Sequence, residues 1–456
     1  MTTDVDTAIV GAGAGGLVAA LAVTDAGGTA VVVEKLDRAG GNSALSTGSI
    51  PGAGTRWQAE AGIDDNPETF AADLLRQSGP HEAEHLTRRL AATSAGLVEW
   101  LVDTHDIDLR LITDYKHVGH SRPRLHAPRS RKGDALVRDL LAACRRADVL
   151  VLLNSPVTAV LSEDGQVAGV TIEGDRVARH NLRSSSVILA ANGYAANKRL
   201  VERWAPDVVA AEYFGAHGST GEAIEWGAAL GAQLGNIGAY QGYAAVAYPH
   251  GSLLTWTTVE KGGFLVDRSG RRFGDESWGY SGYAAKVLAA DRPSFVVFDT
   301  AIRDAAAAHE EEFRELVAMG GVRECADATE LAAFIGCDPA EIASTLTAAQ
   351  AAAAGDRPDE FGRTDFGNGP LRPPYAISRT VPGLFHTQGG LQVDEDARVL
   401  RPDGSAIAGL YAVGGTAAGV SGRAGGGGYS SGSGLLAAAG LGALAGRHAA
   451  SSVPAM

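Results

Sequence analysis

The amino-acid sequence predicts an α/β protein of two domains, with an α+β domain inserted into a domain built on a parallel sheet. Three observations support this prediction. The chain has 456 residues, which is long for a single hydrophobic core. Two short apolar runs flank a glycine-rich turn and a helical pattern near the N-terminus. Aromatic residues and polar turns, followed by alanine-rich helices, set residues 241–374 apart. We therefore expect one domain at 1–240 and 375–456, and the inserted domain at 241–374.

The first domain begins with a strand at 7–10, a glycine-rich turn, a helix at 17–26 and a second strand at 29–33. The turn reads Gly11-Ala12-Gly13-Ala14-Gly15-Gly16, and Glu34 follows the second strand. This order, with roughly 20 residues between turn and acid, is typical of a Rossmann-like dinucleotide-binding domain. Gly11 permits the tight turn, and Gly13 lets a pyrophosphate approach the backbone. Gly16 allows the helix to pack closely on the strand. Glu34 is expected to accept hydrogen bonds from a ribose. The alternative is a glycine-rich turn with a structural role only.

Periodic apolar patterns predict further helices, and short apolar runs predict further strands. Helices are expected within 64–112 and at 133–147, 284–290, 300–318, 327–335, 339–354 and 435–450. Strands are expected at 149–153, 157–161, 167–172, 186–190 and 409–413.

Composition narrows the function classes. The net charge of −14 disfavours nucleic-acid binding, which needs a basic face. Cys144, Cys325 and Cys337 lie far apart in the sequence, so we expect no disulfide framework and no metal site. No segment has the length and apolarity of a membrane span, and we expect a cytoplasmic protein.

Further motifs follow in a fixed order. They are Gly40-Gly41-Asn42-Ser43, Ser46-Thr47-Gly48, Ala190-Ala191-Asn192-Gly193, Thr220-Gly221-Glu222, Gly270-Arg271-Arg272-Phe273-Gly274-Asp275-Glu276, Asp359-Glu360-Phe361-Gly362-Arg363, His386-Thr387-Gln388-Gly389-Gly390 and Gly414-Gly415. In order and spacing the chain resembles, over essentially its whole length, the flavoprotein family of fumarate reductases, succinate dehydrogenases and 3-ketosteroid dehydrogenases. The two motifs within 241–374 look like the cap domain of that family.

The resemblance implies an FAD cofactor held by the matching motifs. Beside the N-terminal turn and Glu34, the implied binding residues are Lys35, Gly40, Gly41, Asn42, Ser43, Thr47, Gly48, Val157, Ala190, Asn192, Gly193, Gly414, Gly432, Gly434 and Leu435. Members of the family with covalently attached flavin carry a histidine near the position of Asn42, and none stands here, so the FAD is expected to be non-covalent. The sequence holds no haem-attachment motif and no iron–sulfur cysteine set. We therefore expect a diffusible electron acceptor, oxygen or another.

The chain departs from the fumarate reductases where those enzymes bind a dicarboxylate. In that family one arginine stands four residues after the glutamate of an RF-x-x-E motif, and another stands close to the C-terminal helix. Here these positions hold Tyr280 and Tyr429. Residues 240–250 contain no His-Pro-Thr, and of the family's histidines only His386 remains. Phenols therefore replace guanidinium groups suited to bidentate carboxylate binding.

Tyrosines at these two positions are similar to those of the 3-ketosteroid dehydrogenases, and Tyr429-Ser430-Ser431-Gly432 looks most like the branch that desaturates the ring at the 4-position. The resemblance implies that Tyr280 abstracts a proton beside a ketone and that Tyr429 polarises the carbonyl, with Ser431 and His386 as further catalytic candidates. We predict a dehydrogenase that introduces a C=C bond next to the carbonyl of a cyclic ketone. The substrate would be a ketosteroid or a smaller ring, such as an oxocyclohexane carboxylate.

The same residues allow other interpretations. The enzyme could run in the other direction, as a fumarate-reductase-like ene-reductase of an unsaturated acid, or the chain could be a flavin-binding module without catalysis. Tyr280 could belong to a hydrophobic cap surface, Ser431 could cap the final helix, and His386 could be buried and bonded to backbone. The basic segment 116–132 could be a solvated loop or a positive rim that steers an anionic substrate or acceptor.

Overall fold

A computed structural model describes residues 4–113, 117–174, 177–290 and 293–452. Its helices are α1 (Ala14–Asp25), α2 (Gly41–Leu45), α3 (Arg56–Glu60), α4 (Pro67–Ser78), α5 (Glu84–His105), α6 (Gly133–Arg146), α7 (Lys198–Trp204), α8 (Glu222–Ala229), α9 (Thr257–Glu260), α10 (Gly279–Ala289), α11 (Thr300–His309), α12 (Glu311–Ala318), α13 (Ala328–Ile335), α14 (Pro339–Ala354) and α15 (Ser433–Ser451). Its strands are β1 (Val5–Val10), β2 (Ala30–Val33), β3 (Ile50–Pro51), β4 (Arg110–Leu111), β5 (Leu125–Ala127), β6 (Leu150–Leu152), β7 (Val157–Glu163), β8 (Gln166–Gly174), β9 (Val177–Leu189), β10 (Glu212–Tyr213), β11 (Leu234–Gly235), β12 (Gly238–Ala247), β13 (Phe264–Val266), β14 (Ser294–Asp299), β15 (Arg323–Cys325), β16 (Tyr375–Thr387), β17 (Gly390–Leu391), β18 (Arg398–Leu400), β19 (Ala406–Ala412) and β20 (Ala424–Gly425).

The chain divides into two compact units. The described residues among 1–206, 215–240 and 385–456 form unit 1, and those among 207–214 and 241–384 form unit 2. Unit 2 therefore includes 207–214 and 375–384 in addition to the predicted insertion. Within the described part of the chain, no helix combines the length and apolarity needed to span a bilayer.

Unit 1 is built on a mainly parallel sheet with the strand order β18-β19-β9-β1-β2-β6. β1 pairs in parallel with β2 on one side and with β9 on the other. The parallel arrangement continues to β6 beyond β2 and to β19 beyond β9. The carboxyl ends of these strands meet at one edge, which is where doubly wound α/β folds bind ligands.

Helices α1 and α15 pack very closely in unit 1. A methyl group built on Gly442 would lie 2.5 Å from the Gly15 carbonyl oxygen, and one on Gly446 would overlap the carbonyl oxygen of Ala19. Only glycine permits this approach of one backbone to the other. A methyl group on Gly414, just after β19, would lie 3.3 Å from the Ala438 side chain, so α15 starts near the carboxyl edge of the sheet.

Unit 2 contains an antiparallel sheet in which β14 lies between β13 and β16, with β10 and β15 also paired to β16. Helices α11, α13 and α14 each begin after an aspartate whose carboxylate accepts backbone N–H groups of the first turn. The predicted helix at 300–318 is wrong as one element, because Glu310 has extended backbone and separates α11 from α12. Strands β14 and β16 were not predicted from the sequence.

Candidate active site

The glycine-rich turn between β1 and α1 is closed tightly. Gly11 donates its N–H to the Val33 carbonyl at 2.8 Å, and its φ of +107° favours glycine. A methyl group on Gly11 would lie 2.5 Å from the Ala190 carbonyl oxygen, and one on Gly16 would overlap the Gly11 carbonyl oxygen. Both positions therefore need glycine for the turn itself.

Gly13 differs because the space beside it is open. Its backbone is extended at the N-cap of α1, and a methyl group there would meet no atom closer than Ser43 Oγ at 3.6 Å. The Ala14 N–H donates to that oxygen at 3.1 Å, while Gly15 lies in the first helical turn. The first turn of a helix presents N–H groups and the positive end of the helix dipole to an anion. This cradle fits the pyrophosphate of a dinucleotide.

Glu34 follows β2 at the same edge of the sheet. Its Oε2 accepts the Ala12 N–H at 2.9 Å, and its Oε1 accepts the Leu36 N–H at 3.0 Å. A carboxylate oxygen has a second lone pair, so both oxygens can still accept a ribose hydroxyl. The Ser155 N–H donates to the Glu34 carbonyl at 2.8 Å, which brings the start of β7 at Val157 close to this segment.

Two side chains predicted to bind the cofactor have partners within unit 1. Lys35 Nζ forms an ion pair with Glu222 at 2.7 Å and donates to Thr220 Oγ1 at 2.8 Å. Asn42 Oδ1 accepts the Ala216 N–H at 2.6 Å. These side chains therefore hold neighbouring segments in place.

The 40–48 segment is rich in backbone conformations that favour glycine. Gly40 and Gly48 have φ of +124° and +70°, and a methyl group on Gly41 would meet no atom within 4 Å. Thr47 Oγ1 lies 2.9 Å from Ser49 Oγ. The segment thus leaves open backbone beside Gly41.

Two further predicted stretches lie at the carboxyl edge of the sheet. Ala190 follows β9 directly, and Asn192 has a φ of +64°. A methyl group on Gly193 would overlap Thr387 Oγ1, and Gly414 follows β19 with a φ of +59°. The fold therefore gathers turns from distant parts of the sequence at one edge.

The start of α15 brings together several other predicted residues. Gly432 is the N-cap with a φ of +77°, and Leu435 is buried in the first turn. A methyl group on Gly434 would lie 3.0 Å from Cε1 of His386. The rings of His386 and Tyr429 are 5.9 Å apart and nearly perpendicular.

The protonation of these two rings is set by burial. Burial raises the pKa of Tyr429 to about 12, although its hydroxyl is hydrogen-bonded with the Gly434 N–H and the Ser433 side chain. Burial lowers the pKa of His386 to about 4. At neutral pH, Tyr429 is therefore a neutral phenol and His386 a neutral imidazole.

Ser431 does not cap α15. The N-cap residue is Gly432, and no side chain caps the first turn. The alternative expectation of a capping serine is therefore wrong. The Ser431 backbone instead bonds to another loop, since its N–H donates to the Val118 carbonyl at 3.0 Å.

Tyr280 is half-buried on the first turn of α10 in unit 2, in an aromatic cluster. Its ring centroid lies 5.0 Å from that of Tyr243 and 6.3 Å from that of Trp256. The Tyr243 hydroxyl is used structurally, because it donates to the Leu254 carbonyl and accepts the Trp256 N–H. Burial raises the pKa of Tyr283, whose hydroxyl has no hydrogen-bond partner among the described residues, so it is poorly suited to be a base.

A buried ion-pair network joins the two cap-like motifs of unit 2. Arg272 bonds to both carboxylate oxygens of Glu276, at 2.7 and 3.1 Å, and also pairs with Asp359. Arg363 lies 3.3 Å from Glu276 and donates to the Val259 carbonyl at 2.7 Å. This network fixes the chain four residues before Tyr280.

The basic segment 116–132 is neither wholly a solvated loop nor wholly a positive rim, because Arg122 and Arg129 are exposed whereas three other members are internal. His120, Arg124 and His126 are buried. Arg124 pairs with Asp65 at 2.7 Å and with Asp73 at 2.6 Å. Lys116 lies outside the described residues.

Sequence reasoning missed two side chains near the predicted residues. Thr387 Oγ1 accepts the Tyr194 N–H at 3.0 Å and fills the space beside Gly193. His120 lies 2.8 Å from the Ser431 carbonyl. Thr387 stands inside a quoted motif, which was a usable signal, whereas nothing in the sequence pairs position 120 with position 431.

Comparison with known proteins agrees with this architecture. The FAD binding domain family matches residues 6–431. A relative, the NADH:fumarate oxidoreductase of Klebsiella pneumoniae (strain 342), is 30% identical over 421 residues, covering 91% of this chain but 45% of that protein. The chain thus spans about half the length of that relative.

Solved structures with the same fold include two kinds of enzyme. The open conformation of a flavocytochrome c3 fumarate reductase is 26% identical, with a TM-score of 0.79 over 98% of this chain and 78% of that one. The 3-ketosteroid-Δ4-(5α)-dehydrogenase of Rhodococcus jostii RHA1 is 23% identical, with a TM-score of 0.77 over 99% of this chain and 98% of that one. The latter likeness is evidence of fold alone.

Proposed function

Because the chain belongs to the FAD binding domain family of FAD-dependent oxidoreductases, we propose that it is a dehydrogenase that introduces a C=C bond next to the carbonyl of a cyclic ketone. FAD, when bound, supplies the hydride acceptor at N5 of its ring. The turn after β1, Glu34 and the start of α15 are the parts of this chain that would hold it. Oxygen or another diffusible acceptor would then take the electrons.

The observation that carries this proposal is the placement of the Tyr429 phenol just before the first turn of α15, with its ring centroid 5.9 Å from that of His386. A hydroxyl whose pKa is about 12 stays protonated at neutral pH and can donate a hydrogen bond. A ketone oxygen gains negative charge when a proton leaves the neighbouring carbon, so a donor at that oxygen lowers the barrier. The Gly434 N–H in the first turn of α15 is hydrogen-bonded to the Tyr429 hydroxyl, and this bond makes the phenol a stronger donor to the ketone oxygen.

We assign the proton abstraction to Tyr280. Its ring packs against the buried rings of Tyr243 and Trp256, and Tyr280 is the one of these three side chains that is partly exposed. A free tyrosine has a pKa of about 10, so a working base needs this pKa lowered when substrate and cofactor are bound.

The charges of the side chains near Tyr429 and Tyr280 favour a ketone as substrate over a dicarboxylate. His386 is neutral above a pH of about 4 and carries no positive charge for a carboxylate. Arg272 and Arg363 are buried in ion pairs with Glu276, so their guanidinium groups are already engaged. A bidentate arginine is the usual means of gripping a carboxylate.

A second candidate is an ene-reductase acting on an unsaturated acid. The sequence identity to a fumarate oxidoreductase and the structural likeness to a fumarate reductase favour it. The same tyrosines would then act in reverse, with Tyr280 delivering the proton to carbon.

Single-turnover flavin reduction by a cyclic ketone, in Tyr280→Phe and Tyr429→Phe, tests the assigned roles. Loss of a general base costs about 10²–10⁴ in rate, and loss of an oxyanion-type donor costs about 2–4 kcal/mol in the transition state. Tyr411→Phe is the matched control, because it removes a buried phenol bonded to His448 at the far end of α15. If Tyr280→Phe reduced its flavin at the wild-type rate, Tyr280 would not be the base. If Tyr411→Phe lost as much rate as the two site variants, the losses would reflect stability and not catalysis.

A further inference from the structure

The Tyr429–Ser431 segment is bonded to the loop at 118–120. The Ser431 N–H donates to the Val118 carbonyl at 3.0 Å, and the Ser431 carbonyl lies 2.8 Å from Nε2 of His120. Two hydrogen bonds from one residue thus join chain segments more than 300 positions apart.

The two segments also touch through their backbones. Gly119 has a φ of +82°, and a methyl group built on it would overlap Ser430 Oγ and lie 3.0 Å from Ser430 Cα. Any larger residue at position 119 would therefore push the serine segment away.

The partners of His120 fix its tautomer. Arg124 Nη1 lies 3.2 Å from His120 Nδ1, and a guanidinium group can only donate, so Nδ1 is the acceptor. The ring proton is then on Nε2, where it donates to the Ser431 carbonyl. The His120 side chain is thereby held at both nitrogens.

Arg124 is itself fixed on two sides. Asp65 accepts from its Nε and Nη2 at 2.9 and 2.7 Å, and Asp73 accepts from its Nη1 at 2.6 Å. Phe70 lies beneath the guanidinium group, 4.7 Å from ring centroid to Cζ. Because the buried Arg124 guanidinium group is paired on both sides, it holds the His120 ring in a fixed position.

We propose that His120 is a positioning residue that holds the Tyr429–Ser431 segment so that the Tyr429 hydroxyl lies where the substrate carbonyl is polarised. The proposal rests on the proposed function of Tyr429. Burial and the neighbouring Arg124 lower the pKa of His120 to about 4, so its ring stays neutral and keeps this hydrogen-bond pattern at neutral pH.

The test compares His120→Phe, His120→Gln and His126→Phe as holoenzymes. His120→Phe removes the hydrogen bonds and keeps a ring against Phe70, whereas His120→Gln retains a donor and an acceptor. His126→Phe is the matched control, because His126 is buried in the same segment but bonds to Thr55 and the Arg124 carbonyl. The readouts are hydrogen exchange of peptides covering 428–432, single-turnover flavin reduction, and the KM for the ketone.

His120→Phe should speed exchange at 428–432 and slow flavin reduction about 5- to 10-fold, the effect of about one neutral hydrogen bond. The KM and FAD affinity should stay within about twofold, and His120→Gln should recover most of the rate. Unchanged exchange, an unchanged rate, or an equal loss of rate in His126→Phe would overturn the proposal. The hydrogen-exchange measurement needs no substrate. If the enzyme showed no activity with any ketone, the proposed function would be wrong, but the exchange rates would still test whether His120 holds the 428–432 segment.

A second measurement covers the case in which His120→Phe does not fold. Long-range ¹H–¹⁵N spectra of histidine-labelled holoenzyme should show His120 as the Nε2–H tautomer at pH 7 and at pH 5.5. The Nδ1–H tautomer, or titration near the ordinary histidine value of about 6.5, would overturn the assigned support.

Discussion

Gly13→Ala is the sharpest perturbation of the glycine-rich turn, because it separates cofactor binding from folding. The Gly13 backbone, with φ −78° and ψ 179°, suits any residue. The added methyl group would lie 3.6 Å from Ser43 Oγ and 3.7 Å from the Gly40 carbonyl oxygen, which are ordinary contact distances. The free energy of unfolding of the apo-protein should therefore change by less than about 1 kcal/mol, the usual scale of N-cap replacements.

FAD binding should respond much more strongly. The methyl group fills the space through which a phosphate approaches the first N–H groups of α1, so the affinity should fall at least tenfold, or about 1.4 kcal/mol. Fluorescence titration of the apo-protein with FAD gives the affinity, and urea unfolding of the same apo-protein gives the stability.

Substitutions of two other glycines serve as controls for Gly13→Ala. Gly96→Ala, on the exposed side of α5, meets no atom within 4 Å, so it should stabilise the fold by roughly 0.5–1 kcal/mol and leave FAD affinity unchanged. Gly16→Ala overlaps the Gly11 carbonyl oxygen and should lose both stability and FAD binding. Wild-type FAD affinity in Gly13→Ala would refute the placement of the pyrophosphate at this turn.

Glu34→Ala should weaken FAD binding about tenfold or more, and Glu34→Gln less, because the amide keeps one acceptor; equal affinities in the same titration would contradict a ribose contact. Arg272→Met removes the buried cation that pairs with both Glu276 and Asp359 and leaves only Arg363 beside Glu276, so it should destabilise unit 2 by about 3–5 kcal/mol in urea unfolding; a loss below about 1 kcal/mol would show that the network is dispensable. Acid should destabilise the fold between pH 6.5 and 4, because burial lowers the pKa of His120 and of His126 to about 4 and the unfolded chain then binds more protons. The contribution of each neutral histidine to the free energy of unfolding is complete above the unfolded pKa of about 6.5 and falls by about 3 kcal/mol by pH 4. The free energy of unfolding, measured as a function of pH, should therefore fall more steeply in wild type than in the double variant His120→Gln/His126→Gln. Equal slopes in the two proteins would contradict this prediction.

The local part of the fold was predictable because its chemistry is local. The strand, turn and helix at 7–26 follow from glycines whose roles depend on neighbours a few residues away, and β1 and α1 lie where that pattern indicates. Strand β16 was missed because Arg379, Pro382 and Gly383 break its apolar alternation, and its stability comes from pairing with β14 across some 80 positions.

The hydrogen bonds and ion pairs that hold the Tyr429–Ser431 segment could not be predicted from the sequence, because they also depend on residues distant in the chain. A basic stretch resembles a solvated surface unless its acids are known, and the partners of Arg124 stand 59 and 51 positions earlier. Only the folded chain brings Asp65, Asp73 and Arg124 together and turns His120 toward Ser431. Tyr280 and Tyr429 could be named as candidates because they stand at fixed distances from recognisable motifs, and their catalytic roles stay predictions.

The proposed function is tested most directly by mixing the holoenzyme anaerobically with a panel of saturated cyclic ketones, and the dithionite-reduced holoenzyme with fumarate, while following flavin absorbance. A ketone dehydrogenase should lose flavin absorbance with at least one 3-ketosteroid or cyclohexanone derivative, and its reduced flavin should be reoxidised by fumarate only slowly. Rapid reoxidation by fumarate, with no bleaching by any ketone of the panel, would contradict the assignment and establish the ene-reductase of an unsaturated acid in its place.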